Sequence, residues 1–306
     1  MKIKLMHSFG HNDIGTYEWN KPDITDEQIE IKPLMVGICR SDIAAYSGWE
    51  KPMPLGMFGH EGTGIVTKIG KNINDINVGD YVATWSDPAY GELYNADKNQ
   101  YAKLPNISPQ YIMQPTACAI NIYKKTLKYM EFNGYQDEEI LLIGTGFMSM
   151  VIGQLNNKIH VLGKSNKNIW ESFNIPQYPT IESLPKDKYK VIIDLSSNAK
   201  YYYEISNRLA DVEALICYAA TPFEEVKTNF FENCWNCHTL IMPSPRNSDF
   251  NDSMKEGIEM IQNGKLKTDF LWTGGYKAFD IDEMKKAFED GKNRTESYIR
   301  GYFVYE

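Results

Sequence analysis

Two short runs carry the residues that point most directly at chemistry: Gly37-Ile38-Cys39-Arg40-Ser41-Asp42 and Gly59-His60-Glu61-Gly62. A thiolate and an imidazole suit Zn²⁺, and a catalytic zinc uses about three protein ligands with one position left open for water or substrate. Cys39 and His60 supply two such ligands, and Glu61 places a carboxylate beside the second. Ser41 adds a hydroxyl, and Asp42 a carboxylate of the kind that orients a metal-bound imidazole. A lone cysteine or histidine is usually structural, so the reading rests on the five residues together.

A second run, Gly144-Thr145-Gly146-Phe147-Met148-Ser149, follows the apolar stretch Ile140-Leu141-Leu142-Ile143 and opens a helical pattern. Strand, glycine pair and helix form the context in which a dinucleotide pyrophosphate lies at a helix N-terminus, Gly144 allowing the turn and Gly146 the close backbone approach. Ser149 stands where a third glycine is usual. At the end of the next apolar run an NAD site places an acid for the ribose hydroxyls, whereas this chain has Gly163 followed by Lys164, Ser165 and Lys167. Cationic groups and a hydroxyl without a carboxylate suit a 2′-phosphate, so NADP(H) is expected over NAD(H). The plainer alternative is a solvated, lysine-rich loop. Trp49, Trp85 and Trp272 are candidate pocket walls, with ordinary core packing as the alternative for each.

The elements that position these groups change in texture along the chain. Residues before about 110 are strand- and turn-rich, with extended segments at 29–36 and 64–69 and the turn Val78-Gly79-Asp80-Tyr81-Val82. From about residue 115 a helical pattern leads into short apolar runs at 139–143, 158–162, 190–195 and 214–218, alternating with helix-compatible stretches. That alternation predicts a doubly wound parallel sheet. Residues 279–288 read as an acid-capped amphipathic helix and 298–305 as a closing strand.

The 306 residues leave room for two domains, and the net charge of −8 disfavours nucleic acid and anionic membrane as partners. The first residues lack an apolar signal segment and no run approaches membrane-spanning length, so a cytoplasmic protein is expected. Five cysteines, an odd number, point to thiols or ligands rather than a disulfide framework. Cys234-Trp235-Asn236-Cys237-His238 fits the string of a c-type haem attachment, but haem attachment belongs to an exported context. A strand or turn near Thr239-Leu240-Ile241-Met242 is the plain reading there, with a pair of free thiols able to bind adventitious metal as the intermediate case. Nothing in the sequence fixes a role for His7 or His11, which read equally well as surface residues.

With these motifs in hand, the chain resembles the medium-chain, zinc-dependent alcohol and polyol dehydrogenase superfamily over nearly its whole length. The resemblance implies a GroES-like β-barrel catalytic domain at 1–117 and 278–306 around a Rossmann domain at 118–277. Within it, Cys39 and His60 match zinc ligands, and Glu61 an acid beside or on the metal. Asp42 matches the partner behind the histidine, and Ser41 the hydroxyl that exchanges a proton with the bound alcohol. Arg40 and Arg300 match positions that contact the cofactor pyrophosphate in some members. For the remaining ligand, Gln114 stands where polyol-type members carry Glu and Cys118 where other members carry a ligand cysteine, so Cys118 is the better donor of the two.

Residues 84–100 contain no cysteine, so one catalytic zinc and no structural zinc is expected; Ala44 replaces the histidine that often relays the proton. The implied activity is hydride transfer between NADP(H) and a small alcohol, polyol or its aldehyde or ketone, in a homodimer, or alternatively a tetramer. Two alternatives stay open. One is a zinc-independent NADPH reductase of carbonyls or activated double bonds, the other a non-catalytic nucleotide-binding or redox-sensing protein.

Overall fold

The computed structural model describes residues 1–48, 54–196, 203–221, 225–226, 228, 230–244, 247, 249–295 and 297–306; Trp49 lies outside them. Strands β1 (Lys2–Gly10) and β2 (Asp13–Asn20) form an antiparallel hairpin whose turn places His11 and Asn12 at positive φ. Then follow β3 (Gln28–Gly37), α1 (Arg40–Tyr46), β4 (Glu61–Ile69), β5 (Tyr81–Thr84), β6 (Tyr94–Asp97), β7 (Tyr101–Lys103) and the long α2 (Met113–Asn133). The alternating part of the chain gives β8 (Ile140–Ile143), α3 (Phe147–Gly153), β9 (Ile159–Leu162), α4 (Lys167–Ser172), β10 (Gln177–Tyr178), β11 (Tyr189–Asp194), α5 (Glu204–Leu209), β12 (Ala210–Tyr218), α6 (Phe230–Trp235) and β13 (Thr239–Ile241). It closes with α7 (Phe250–Gln262), β14 (Trp272–Lys277), α8 (Ile281–Asn293) and β15 (Arg300–Val304).

The chain folds as two compact units, Met1–Ala117 with Asn251–Glu306, and Cys118–Phe250. In the first, a sheet runs β14-β15-β3-β4-β5-β7, with β6 paired to β3. The chain rejoins this unit at Asn251, earlier than the expected 278. The reason is backbone pairing: β14 lies parallel to β15, from Trp272 opposite Arg300 to Lys277 opposite Val304, and β15 is antiparallel to β3. Residues of that strand pair cannot be satisfied away from the first sheet, because each unpaired buried N–H or C=O is costly. Its core gathers Ile29, Ile31, Val36, Phe58, Tyr90, Tyr94, Phe288 and Phe303.

In the second unit a parallel sheet has the order β10-β9-β8-β11-β12-β13. Strand order reverses between β8 and β11, so the crevice beyond their carboxyl ends is the topological switch point where open α/β sheets take ligands. Ile140, Leu141 and Leu142 are completely buried, as expected of strands covered on both faces. Among the described residues no helix is long and apolar enough to cross a membrane.

Two details depart from sequence expectation. His7 is buried, with its ring edge-on to Phe9, Tyr17 and Phe58, and burial lowers its pKa; only His11 is exposed. A buried ion cluster also has no local signature: Glu30 Oε2 accepts from Lys21 Nζ at 2.8 Å and Oε1 from Thr67 Oγ1 at 3.0 Å, while Lys68 Nζ lies 3.1 Å from Oε1. Burial acts to raise the Glu30 carboxyl, and the Lys21, Lys68 and Thr67 donors outweigh it, leaving the pKa below the usual carboxylate range. The stability this contributes is complete above the ordinary carboxylate pKa and fades as pH falls through the depressed folded value. Glu30→Ala strands the buried Lys21 ammonium, and removing one partner of a buried pair costs about 3–5 kcal/mol. Urea unfolding at neutral pH is expected to show that loss, with the gap between parent and variant narrowing at acid pH.

Candidate functional site

Cys39 caps α1 with an extended backbone, and the helix turns Asp42 back so that its carboxylate accepts the Cys39 N–H at 3.0 Å. The carboxylate is completely buried. The Tyr90 hydroxyl lies 3.0 Å from Asp42 Oδ2 and 2.9 Å from the Gly37 carbonyl, and its one proton serves one of them at a time. Oδ1 is left without a hydrogen bond and faces His60 Nδ1 at 4.0 Å. Burial pushes the Asp42 pKa up to about 6, against the opposing charge of His60. For His60 burial works downward, but the negative charge of Cys39, Asp42 and Glu61 outweighs it and lifts the imidazole well above its ordinary value.

Cys39, His60 and Glu61 bring one ligand atom each to within 4.8 Å of one another, the one such group of three metal-capable side chains among the described residues. Tetrahedral bonds of about 2.0–2.3 Å set ligand atoms roughly 3.3–3.8 Å apart, so slight rotamer adjustment closes this set on a zinc ion. The unpartnered Asp42 oxygen fits as well, because it faces the ring nitrogen that a histidine bound through its other nitrogen turns outward. The donor set therefore fits zinc. Its ligands must be deprotonated, so binding would expel the His60 proton that the surrounding anions otherwise hold.

Glu61 opens β4 fully buried, and Arg300 opens β15 beside it. Arg300 grips the carboxylate with both arms of its fork, Nη2 to Oε1 and Nε to Oε2 at 3.3 Å, while its guanidinium lies 5.7 Å from the Trp272 ring. Burial acts to lower the guanidinium pKa, and Glu61 and Cys39 together overcome it and keep the charge in place. Arg300, for which the resemblance implies a pyrophosphate contact, lies in the structure against Glu61, with Trp272 beside it. The flanking glycines follow from this crowding: a Cβ on Gly37 would overlap Glu61 Oε2, and one on Gly59, at φ +81, would overlap the Tyr90 ring.

Ser41 sits half-buried in the first turn of α1. Trp85 is drawn off into the loop, its Nε1 donating to the Asn99 carbonyl at 3.1 Å. Gln114 is buried on α2, and Cys118, half-buried on the same helix, begins the second unit. Arg40 has a neighbour that sequence reasoning missed: burial and the charges of Arg40 and Arg300 push Arg294, at the end of α8, down to about 10. No motif surrounds Arg294, so only the fold identifies this cationic group.

In the second unit Gly144 adopts φ +109 and packs where a Cβ would come 3.2 Å from the Leu195 carbonyl carbon. Gly146 caps α3, and nothing lies within 4 Å of its Cβ position, leaving the backbone open to an approaching phosphate. Thr145, Phe147 and Met148 complete the turn, with Phe147 turned into the core. Ser149 is buried with its hydroxyl unpartnered, and the tight helix packing falls instead to Gly153, where a Cβ would come within 2.7 Å of Trp170. A Cβ on Gly163 would come 2.7 Å from Thr145 Cγ2, so no acid fits at that point.

The loop beyond is pinned rather than loose. Asn166 donates to the Thr145 carbonyl at 3.0 Å, and Gln177 donates to the carbonyls of Gly163 and Ser165 at 2.9 and 2.8 Å. This presents Lys164 and Ser165 to solvent next to the glycine turn, while Lys167 leans on Glu171 at 3.5 Å. Asn166 and Gln177 escaped sequence reasoning because their partners are backbone carbonyls brought close only by the sheet.

The alcohol dehydrogenase GroES-like domain matches residues 25–108. Sorbitol dehydrogenase of Bombyx mori is 38% identical over 81 residues, covering 24% of this chain and 22% of that protein. D-Arabitol-phosphate dehydrogenase of Enterococcus avium is 33% identical over 101 residues, covering 32% and 28%. The chain thus spans under a third of the length of either relative. The crystal structure of S. aureus TarJ in complex with NADPH superposes over 100% of both chains with a TM-score of 0.80 at 18% identity, a likeness of fold. Residues 25–108 thus belong to the alcohol dehydrogenase GroES-like domain family, and the chain as a whole shares the fold of the dehydrogenase structures it superposes on, with a thiolate–imidazole–carboxylate cluster in its first unit.

Proposed function

We propose that the protein is a zinc-dependent oxidoreductase moving hydride between NADP(H) and a small alcohol or polyol or the corresponding aldehyde or ketone. The observation that carries the reading is the convergence of Cys39, His60 and Glu61, with the unpartnered Asp42 oxygen behind the imidazole. Zinc held there would acidify a bound alcohol, or polarise a carbonyl in reverse, while the nicotinamide exchanges hydride with the carbinol carbon.

The protein's own groups do the rest. Cys39 and His60 hold the ion and Asp42 fixes the ring of His60. Ser41 would take the hydroxyl proton in oxidation and return it in reduction, and since Ala44 cannot relay it, any onward route would have to use groups other than a histidine at that position. Gly144 to Met148 hold the pyrophosphate, Arg40 adds cationic charge, and Lys164, Ser165 and Lys167 receive the 2′-phosphate. S. aureus TarJ, which shares the fold, was crystallised with NADPH, in keeping with that preference. The family resemblance also supports a cytoplasmic homodimer.

Arg300 draws on both oxygens of Glu61 and weakens it as a donor without filling its lone pairs, which favours a thiolate as a further ligand; Cys118 is the residue proposed for it. The same clamp motivates the second reading, a zinc-independent NADPH reductase. Metal analysis separates the two: one zinc per chain is expected, lost in Cys39→Ser and reduced in Cys118→Ser, with turnover abolished by chelation and restored by zinc. NADPH turnover that survives full chelation points to the second reading.

Ser41→Ala should retain zinc and cofactor affinity while kcat falls about 10²–10⁴-fold, the range for loss of a general acid–base group. In titrations followed by nicotinamide fluorescence, Lys164→Ala with Lys167→Ala should weaken NADPH about tenfold or more, as charge-assisted hydrogen bonds of about 1.5–3 kcal/mol are lost. NADH affinity should stay the same. Equal weakening of both cofactors would remove the 2′-phosphate role.

A further inference from the structure

The Cys234–Cys237 pair lies outside the machinery described above, and both thiols are exposed. Cys234 is in the last turn of α6, and Cys237 follows the helix at φ +55. Two backbone bonds define the ending: the Cys237 N–H reaches the Cys234 carbonyl at 3.3 Å, and the His238 N–H reaches the Asn233 carbonyl at 2.9 Å. These are the paired bonds of a Schellman cap, whose left-handed residue is ordinarily glycine or asparagine. A cysteine there bears a steric penalty that glycine avoids. Residues joined by such a turn lie less than about 7 Å apart at Cα, overlapping the span of about 4.4–6.8 Å that a disulfide bridges.

The surroundings exclude metal as the purpose. Both ring nitrogens of His238 are engaged, Nδ1 with Asn233 Oδ1 at 3.0 Å and Nε2 with the Asp211 carbonyl at 3.1 Å. Two thiols alone fall short of the four ligands of a structural zinc site. The cap is also anchored from its other side, because the Glu213 N–H bonds to the Asn236 carbonyl at 2.6 Å, joining the turn to β12. Cys217 in the same unit provides the contrast: it is completely buried, and burial pushes its thiol up to about 12, leaving it inert.

We propose that Cys234 and Cys237 form a reversible dithiol–disulfide site that exchanges with low-molecular-weight disulfides such as glutathione disulfide. One thiolate attacks a sulfur of the external disulfide, forming a mixed disulfide and releasing the first small thiolate. The second cysteine's thiolate then attacks the protein sulfur of that mixed disulfide, closing the Cys234–Cys237 bond and expelling the second small thiolate. The protein loses two thiol protons and two electrons, the small disulfide gains them as two thiols, and excess thiol reverses the exchange.

The test equilibrates the full-length protein with glutathione and glutathione disulfide mixtures, quenches with an alkylating agent and reads the tryptic peptide carrying both residues by mass spectrometry. As oxidant rises, that peptide should convert from doubly alkylated to an unalkylated form about 2 Da lighter than the reduced peptide, reversibly, with Cys217 unchanged. Cys237→Gly places the residue the cap favours, so it should keep the fold and melt no lower than the parent. It should stop at a glutathione adduct on Cys234. The proposal is overturned if both thiols remain alkylatable at full oxidation, if only glutathione adducts accumulate in the parent, or if oxidation links separate chains.

Discussion

The contact between Asp42 and the backbone of Cys39 is the constraint on which the metal cluster turns. One carboxylate oxygen fixes the start of α1, and so the place of the Cys39 thiol, while the other faces the ring of His60 from a different loop. A buried carboxylate oxygen without a hydrogen-bond donor is costly. The cost is offset when His60 carries a positive charge, or when it donates its Nδ1 proton while its other nitrogen holds a metal. The first unit's core is shaped to permit this, with Tyr90 roofing Asp42 while its ring packs against Phe58 and Phe303.

Around that contact three anionic groups, Asp42, Cys39 and Glu61, are set against two cationic ones, His60 and Arg300. The buried members, Asp42 and Glu61, are tolerable because each faces a cationic partner, His60 and Arg300 in turn. Removing one member therefore disturbs its neighbours as well as itself. The cation–π contact with Trp272 adds a further hold on the Arg300 guanidinium. The strand pairing of β14 with β15 matters to function for this reason, since it brings Trp272 and Arg300 together next to Glu61.

Much of this was legible in the sequence where chemistry and local geometry coincide. Cys39, Ser41 and Asp42 lie within one helical turn, His60 adjoins Glu61, and Gly144 and Gly146 sit between strand and helix, so short-range spacing sufficed. Long-range partners were not legible: Arg300 is 239 residues from Glu61, and Tyr90 is 48 from Asp42. Their pairing depends on sheet order, which no local pattern encodes. The return of the chain to the first unit at Asn251 has no local mark either, because 251–277 reads locally as helix and strand whichever unit it joins. His7 was open in sequence because a lone histidine shows burial only when the aromatic rings around it are assembled.

The central claim is that this cluster of charges exists to hold a zinc ion, and zinc K-edge X-ray absorption on the protein purified without chelator tests it most directly. The account predicts a four-coordinate first shell, with sulfur at about 2.3 Å and nitrogen or oxygen at about 2.0–2.2 Å. A shell of oxygen and nitrogen alone, or no zinc edge above background, would contradict it.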